Sequence, residues 1–310
     1  MSAHSGHMGF VGVSTAQSSI MKVFPLWADV LSLPTTRLLD HDVALDAPAE
    51  TYVALVTAIK NNPEHRGALV TTHKMNLYRA ARHLFDDIDP FAVACHEISS
   101  ISKREGRLIG RARDPLTVAM ALDDFLPPDH FHTTGGEVLI LGAGGSGTAL
   151  SWALAERVHD QPRRVSVTAR SQSKLDELQR IHEHRGTPAG LLRYCLTPTP
   201  HDADELVEAL PAGSLIVNAT GLGKDYPGSP LTDGVVFPRE TIVWEFNYRG
   251  SLEFLHQARA QQEAKSLQVI DGWRYFIHGW SQVIADVFAL DLTSELIEEL
   301  AAVAESVRGS

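Results

Sequence analysis

The stretch GALVTTHK, residues 67 to 74, carries an apolar run into two threonines, a histidine and a lysine. A strand of that composition is buried along its length, so an ammonium group at its end must meet water or an anion. Lys74 is therefore a candidate for ligand binding or proton transfer, and the plain alternative is a surface salt bridge. His73 beside it either contacts the same ligand or packs outward. A second stretch, EVLILGAGGSGTALSWAL from Glu137, runs from apolar residues into a glycine-rich turn and then a helical pattern. Gly142 permits the tight turn, Gly144 lets backbone approach a diphosphate, and Gly147 with Ala149 allows the helix to lie close to the sheet. The helix start, through Gly145 and Ser146, offers N–H groups and a partial positive charge to that diphosphate.

The end of the next strand decides which dinucleotide fits. An NAD-selective site places an acid there to hold the ribose hydroxyls, whereas VSVT leads into Ala169, Arg170, Ser171 and, a turn later, Lys174. A guanidinium, a hydroxyl and an ammonium suit a 2′-phosphate, so NADP is expected ahead of NAD. The same residues also read as a solvated, positively charged helix start. Farther on, SLIVNATGLG ends a strand on Asn218, Ala219, Thr220 and Gly221, small groups placed to approach the nicotinamide ribose, or else a cap and turn.

These candidates need elements to hold them. After Gly136, strand and helix alternate through about six strands, the pattern of a Rossmann-type, doubly wound parallel sheet. Before it, GFVGVS and ALVTT read as strands, TYVALVTAIKN and NLYRAARHLF as helices, and ACHEISSISKREGRLIGRARD as a hairpin turning at Glu105 and Gly106. PPDHFHTTGG, from Pro127 to Gly136, reads as a breaker-rich hinge. Two amphipathic helices close the chain, and they are expected to return to the first half and make that smaller α/β domain discontinuous.

A chain of 310 residues suggests two domains. Its 44% hydrophobic and 21% charged residues are those of a folded globular protein. The net charge of −11 disfavours nucleic acid and anionic membranes as partners, which leaves small molecules. Cys95 and Cys195 show no metal-ligand or disulfide spacing, so a reducing, cytoplasmic setting without a bound metal is expected. His4 and His7 read as part of a mobile leader.

Taken together, the chain resembles the shikimate and quinate dehydrogenase family over nearly its full length. The resemblance rests on GALVTTHK, GRLIGRARD, GAGGSGTA, TARS, NATGLG, EFNY and IDGWRYFIHGW, in the family's order. It implies a substrate-binding domain of residues 1–122 with 272–310 and an NADP-binding domain of 123–271. It further implies that Lys74 and Asp114, the latter matching the aspartate of a GxNTD motif, face each other across the substrate. In a hydride transfer from a secondary alcohol the hydroxyl proton must also move, and Lys74 is the group expected to move it, with Asp114 as its partner and a substrate ligand. Ser18, Thr71, Ser99, Tyr248 and Trp280 are the matching substrate-binding positions.

Departures from the family pattern cluster among those ligands. VTTHK is one residue shorter than VTxPxK, Ala16 replaces a serine, Lys22 a histidine, and Ser99 and Ser100 an asparagine and a threonine. Ala112 and Arg113 replace asparagine and threonine, and Gly279, with Trp280 beside it, stands at the family's glutamine. A site built on particular hydroxyl contacts loses discrimination when their partners change. Arg111 or Arg113 could bind a carboxylate in place of the missing serine, or face solvent. The expected activity is NADP-dependent, reversible oxidation of a secondary hydroxyl on a shikimate-like or quinate-like carbocycle, by a monomer or homodimer. The alternatives are a dehydrogenase of another cyclitol, aminoshikimate or polyol, and a non-catalytic sensor of NADP or a metabolite.

Overall fold

A computed structural model describes residues 6–224 and 226–308. The chain divides into two compact units, residues up to 113 together with those from 277 onward, and residues 114–276. In chain order the first unit contains β1 (His7–Gly12), α1 (Ile20–Val30), β2 (Leu38–Asp42), α2 (Ala49–Asn61), β3 (His65–Val70) and α3 (Lys74–Ala81). It continues with β4 (Asp87–Ile88), α4 (Pro90–Cys95), β5 (Ser100–Arg104) and β6 (Arg107–Arg111). The second unit contains α5 (Asp114–Asp123), α6 (His130–Thr134), β7 (Val138–Leu141), α7 (Gly145–Glu156), β8 (Val165–Ala169) and α8 (Gln172–Arg185). It goes on through β9 (Leu192–Leu196), α9 (Pro200–Glu208), β10 (Leu215–Asn218), β11 (Ile242–Glu245), α10 (Glu253–Lys265) and β12 (Gln268–Ile270). α11 (Trp273–Phe288) crosses the boundary between the units, and α12 (Ser294–Glu305) closes the chain.

The second unit's sheet has the order β12-β11-β10-β7-β8-β9, and every pairing in it is parallel. Its central strands, VLIL and LIVN, are buried at every position, as a sheet covered by helices on both faces requires. The chain starts in the middle with β7, winds outward to β9, then returns to β10 on the other side. That return leaves a crevice at the carboxyl ends of β7 and β10. Most of the expected elements of this half are present. PPDHFHTTGG, however, is not simply a hinge, because it holds the short helix α6, with His130 and Phe131 buried and His130 Nε2 donating to the Gly213 carbonyl at 2.7 Å.

The first unit's sheet, β2-β1-β3-β5-β6-β4, is parallel through β1, β2 and β3 and antiparallel from β3 to β5 to β6. The expected hairpin is there, turning on Glu105 (φ 50) and Gly106 (φ 78), the paired positive φ values of a two-residue hairpin turn. α12 packs on α1, with Trp27 Nε1 donating to the Leu300 carbonyl at 2.7 Å. The first boundary falls at 113/114 and not 122/123, since α5 packs along α7 and buries Val118, Ala121 and Leu122.

His7 does not belong to a leader. It opens β1, pairs with His65 in register and meets that ring edge-on at 4.8 Å, because the sheet ladder already begins there. His4 lies outside the described residues. Among the described residues no helix is long and apolar enough to cross a membrane.

Candidate functional site

The glycine turn follows β7 directly. Gly142 has φ +112, a conformation that side chains resist, and its N–H reaches Thr168 Oγ1 at 3.3 Å. Gly144 caps α7 in an extended conformation, is exposed, and has open space where a Cβ would project. Gly147 is different in kind: a Cβ there would collide with the Gly142 carbonyl. The turn thus needs one glycine for its backbone angle and one for close approach, and leaves a third facing outward. Gly145 and Ser146 form the first turn of α7, which contains no acid, so its N–H groups present uncompensated positive potential.

At the end of the neighbouring β8, Ala169 is buried while Arg170 and Ser171 are exposed, and Ser171 caps α8. Lys174 is also exposed but pairs with Glu177 at 2.8 Å, so its ammonium is shared between that pair and any incoming anion. On the other side of β7, Asn218 ends β10 opposite Leu141. The residues after it lie against the glycine turn: a Cβ on Gly142 would meet Thr220 Cγ2 at 3.0 Å and the Ala219 carbonyl carbon at 3.1 Å. Three turns, 142–147, 169–171 and 218–221, therefore share one edge of the sheet.

Asn218 itself is buried and turned inward. Its Nδ2 donates to Glu245 Oε2 at 2.7 Å, and its Oδ1 accepts from Thr220 N at 3.0 Å and Thr220 Oγ1 at 2.6 Å. Asn247 N and Nδ2 both donate to Glu245 Oε1 at 2.8 Å. Burial pushes Glu245 up to about 7 against the pull of these hydrogen bonds, with a smaller push from Glu253.

In the first unit, β3 ends at Val70 and is followed by Thr71, Thr72 with φ +48, and His73. Lys74 is the first residue of α3 and is half-buried. Thr71 N donates to the Val11 carbonyl at 3.0 Å, which puts this turn beside the one that follows β1. That neighbouring turn contains Ser18, half-buried after a single 3-10 turn at Thr15–Gln17. Asp114 opens α5 in the second unit and is half-buried. Tyr248, also in the second unit, is half-buried and packs against Phe276 at 4.6 Å and Trp273 at 5.8 Å between ring centroids.

No family model matches the chain. The shikimate dehydrogenase (NADP(+)) of Streptococcus thermophilus is 30% identical over 179 residues, covering 57% of this chain and 58% of that one. The chain thus spans less than two thirds of that relative. The shikimate 5-dehydrogenase of Thermus thermophilus, solved with NADP(H) and shikimate, superposes with a TM-score of 0.71 at 24% identity, over 96% of this chain and 99% of that one. The 5-ketofructose reductase of a Gluconobacter strain superposes with a TM-score of 0.72 at 20% identity, over 98% and 99%. The chain is shikimate dehydrogenase-like in sequence and fold. At these identities the solved structures speak to the fold alone.

Within this shikimate dehydrogenase-like chain, several expected ligand positions face inward. Ser99 is 3% exposed, and its Oγ accepts from Arg113 N at 2.8 Å, so it holds the chain after β6 in place. Trp280 is 6% exposed and meets Phe10 edge-on at 4.7 Å; an indole at a helical apolar position packs into the core. His73 neither packs outward nor faces a ligand, because its Nε2 donates to the Val43 carbonyl at 2.9 Å while Nδ1 accepts from the Tyr52 hydroxyl at 2.9 Å. Arg111 and Arg113 both bind Asp286 on α11, with Ser100 Oγ donating to the same carboxylate at 3.2 Å.

Sequence reasoning passed over Glu245 and Asn247. The signal was present in the run IVWEFN, where a carboxylate ends an apolar strand, the same logic that singles out Lys74.

Proposed function

We propose that the chain is an NADP-dependent oxidoreductase that reversibly oxidises a secondary hydroxyl of a shikimate-like or quinate-like carbocycle, in the cytoplasm, as a monomer or homodimer. The observation that carries this reading is the turn at Gly142–Gly147 beside exposed Arg170 and Ser171, at the point where the strand order reverses. A diphosphate fits the open space at Gly144 and the acid-free first turn of α7. Arg170 and Ser171 suit a 2′-phosphate, with Lys174 adding charge when it leaves Glu177. Thr220 and Gly221, half-buried, are the groups offered to the nicotinamide end. The relative from Streptococcus thermophilus, by its name, uses NADP(+), which agrees.

The bound nicotinamide supplies a hydride acceptor in oxidation and a donor in reduction. Lys74 takes the hydroxyl proton in one direction and returns it in the other, which a lysine does well when its ammonium form is held near a carboxylate and released by desolvation. Asp114 is that carboxylate and a ligand of the substrate. Thr71 follows β3 as Lys74 does, Ser18 lies in the turn after the neighbouring β1, and both would offer hydroxyls to the ring. Tyr248 would border substrate and cofactor.

A second reading of the substrate is favoured by one observation. Arg111 and Arg113 are bound to Asp286, which removes the arginines that could replace the missing serine as a carboxylate anchor. An uncharged polyol fits such a site better than shikimate. The test is an assay of NADP and NAD against shikimate, quinate, cyclitols and acyclic polyols. Turnover with any of them and NADP supports the dehydrogenase. Tight NADP binding without turnover across the whole panel would replace it with a sensor.

A further inference from the structure

Glu245 lies at the end of β11, fully buried, and every hydrogen bond described for its side chain is one it accepts. Asn218 Nδ2 donates to one oxygen, and Asn247 N and Nδ2 donate to the other. Such a pattern fits an acceptor-only carboxylate. Its consequence is directional. Because Glu245 takes the NH2 of Asn218, the amide oxygen of Asn218 is left to face Thr220, where it accepts from the backbone N and the hydroxyl. Thr220 Oγ1 in turn accepts from Leu222 N at 3.2 Å. Because Glu245 also orients Asn247, the Asn247 Nδ2 reaches the carbonyls of Thr220 at 3.2 Å and Leu222 at 3.1 Å. Both amides therefore hold the turn 219–222, and one carboxylate sets both amides. That turn rests on Gly142 in the glycine loop.

We propose that Glu245 is a positioning residue for dinucleotide binding, fixing the amide orientations of Asn218 and Asn247 and through them the 219–222 turn against the glycine loop. It does not touch the dinucleotide. The inference rests on the proposed dinucleotide site. It also makes Asn218 a positioning residue and leaves Thr220 and Gly221 as the groups that meet the ligand.

Donor and acceptor chemistry supplies a specific test. In Glu245→Gln the new NH2 can face Asn218 only if that amide turns over, and its NH2 then points at the N–H of Thr220, donor against donor. The turn loses its anchor. The paired exchange Asn218→Asp with Glu245→Gln reverses the polarity of this one hydrogen bond. The introduced glutamine donates, and the introduced aspartate accepts from it with one oxygen and from Thr220 with the other. Titration of the full chain with NADPH, followed by nicotinamide fluorescence, is expected to show about tenfold or greater weakening in Glu245→Gln, and recovery to within a few-fold in the paired exchange. Thermal melting of all three proteins is recorded alongside. A purely structural role would make affinity follow melting temperature, whereas positioning makes affinity recover with the restored polarity. If the parent chain binds NADPH and Glu245→Gln binds it equally, or if the paired exchange folds yet stays as weak as the single one, the positioning role is wrong and the dinucleotide site stands. If the parent chain binds neither NADPH nor NADH, the site itself is wrong and the role falls with it.

Discussion

Arg111 Nη1 and Asp286 Oδ1 lie 3.0 Å apart, joining the end of β6 to α11 across 175 residues of sequence. Asp286 is 8% exposed on its side chain and also takes Arg113 and Ser100, while Arg104 donates to the Asp286 and Val287 carbonyls. A single carboxylate on α11 thus holds Arg111 and Arg113, at and just past the end of β6. Removing it leaves partly buried guanidinium groups without their counter-charge, which costs about 3–5 kcal/mol when such a pair is broken from one side. Asp286→Ala is expected to lose stability of that order in urea unfolding. A loss below about 1 kcal/mol would mean that the cluster behaves as a surface pair.

Lys74→Ala is expected to lower kcat about 100-fold or more with the best substrate of the panel, since a positioned acid–base group contributes at least that much. Dinucleotide affinity should change little, because Lys74 is not among the groups proposed to hold the dinucleotide. A kcat within a few-fold of the parent removes Lys74 from the proton-transfer role.

Two glycines of one turn should respond oppositely. Gly147→Ala drives a methyl into the Gly142 carbonyl and is expected to destabilise the fold by about 1–3 kcal/mol. Gly144→Ala finds open space at an ordinary φ of −84, so its melting temperature should match the parent, while the methyl weakens NADPH binding by occupying the approach of the diphosphate. Equal binding by Gly144→Ala would place the diphosphate elsewhere.

Stability should fall in mild acid. Burial pushes His65 down to about 3, helped by His7, His41 and Lys103, and pushes His182 down to about 4, helped by Arg185. Both folded values lie below the ordinary 6.5, so the unfolded chain takes up these protons first. Their contribution is complete above about pH 6.5 and is lost progressively as pH falls toward the folded values. The melting temperature is expected to hold near neutrality and decline below about pH 6.5, with a shallower decline in His65→Leu. An unchanged slope in that variant would assign the acid sensitivity to other groups.

Trp280→Ala separates core from ligand contact. With the indole buried against Phe10, its loss should cost about 3–5 kcal/mol in unfolding free energy. A stable variant with a raised KM alone would return Trp280 to the substrate site.

Much of the second unit was legible in the chain itself. Apolar runs such as VLIL and LIVN, the glycines between strand and helix, and the missing acid after VSVT are local patterns whose meaning does not depend on distant residues. A backbone angle such as the φ of +112 at Gly142 is imposed by the turn, and only certain residues tolerate it. At the ends of β7 and β8, Gly144, Arg170 and Ser171 are exposed and the first turn of α7 holds no acid.

The facing of single side chains beyond strand ends was not legible, because it is settled by partners far away in sequence. The sequence offers Ser99 and Trp280 as substrate contacts and leaves Arg111 and Arg113 open between a carboxylate and solvent, and each is engaged by a group on another element: Arg113 N, Phe10 or Asp286. The sequence leaves Asn218 open between facing the cofactor and forming a cap and turn; its oxygen closes the turn with Thr220, and Glu245, 27 residues on, takes its NH2. The amino-acid sequence by itself determined the alternation of elements, the glycine turn and the residue types available at each strand end. Only the tertiary structure decided which of those polar groups remain outward, because a buried donor or acceptor must find its partner inside the fold before any ligand can use it.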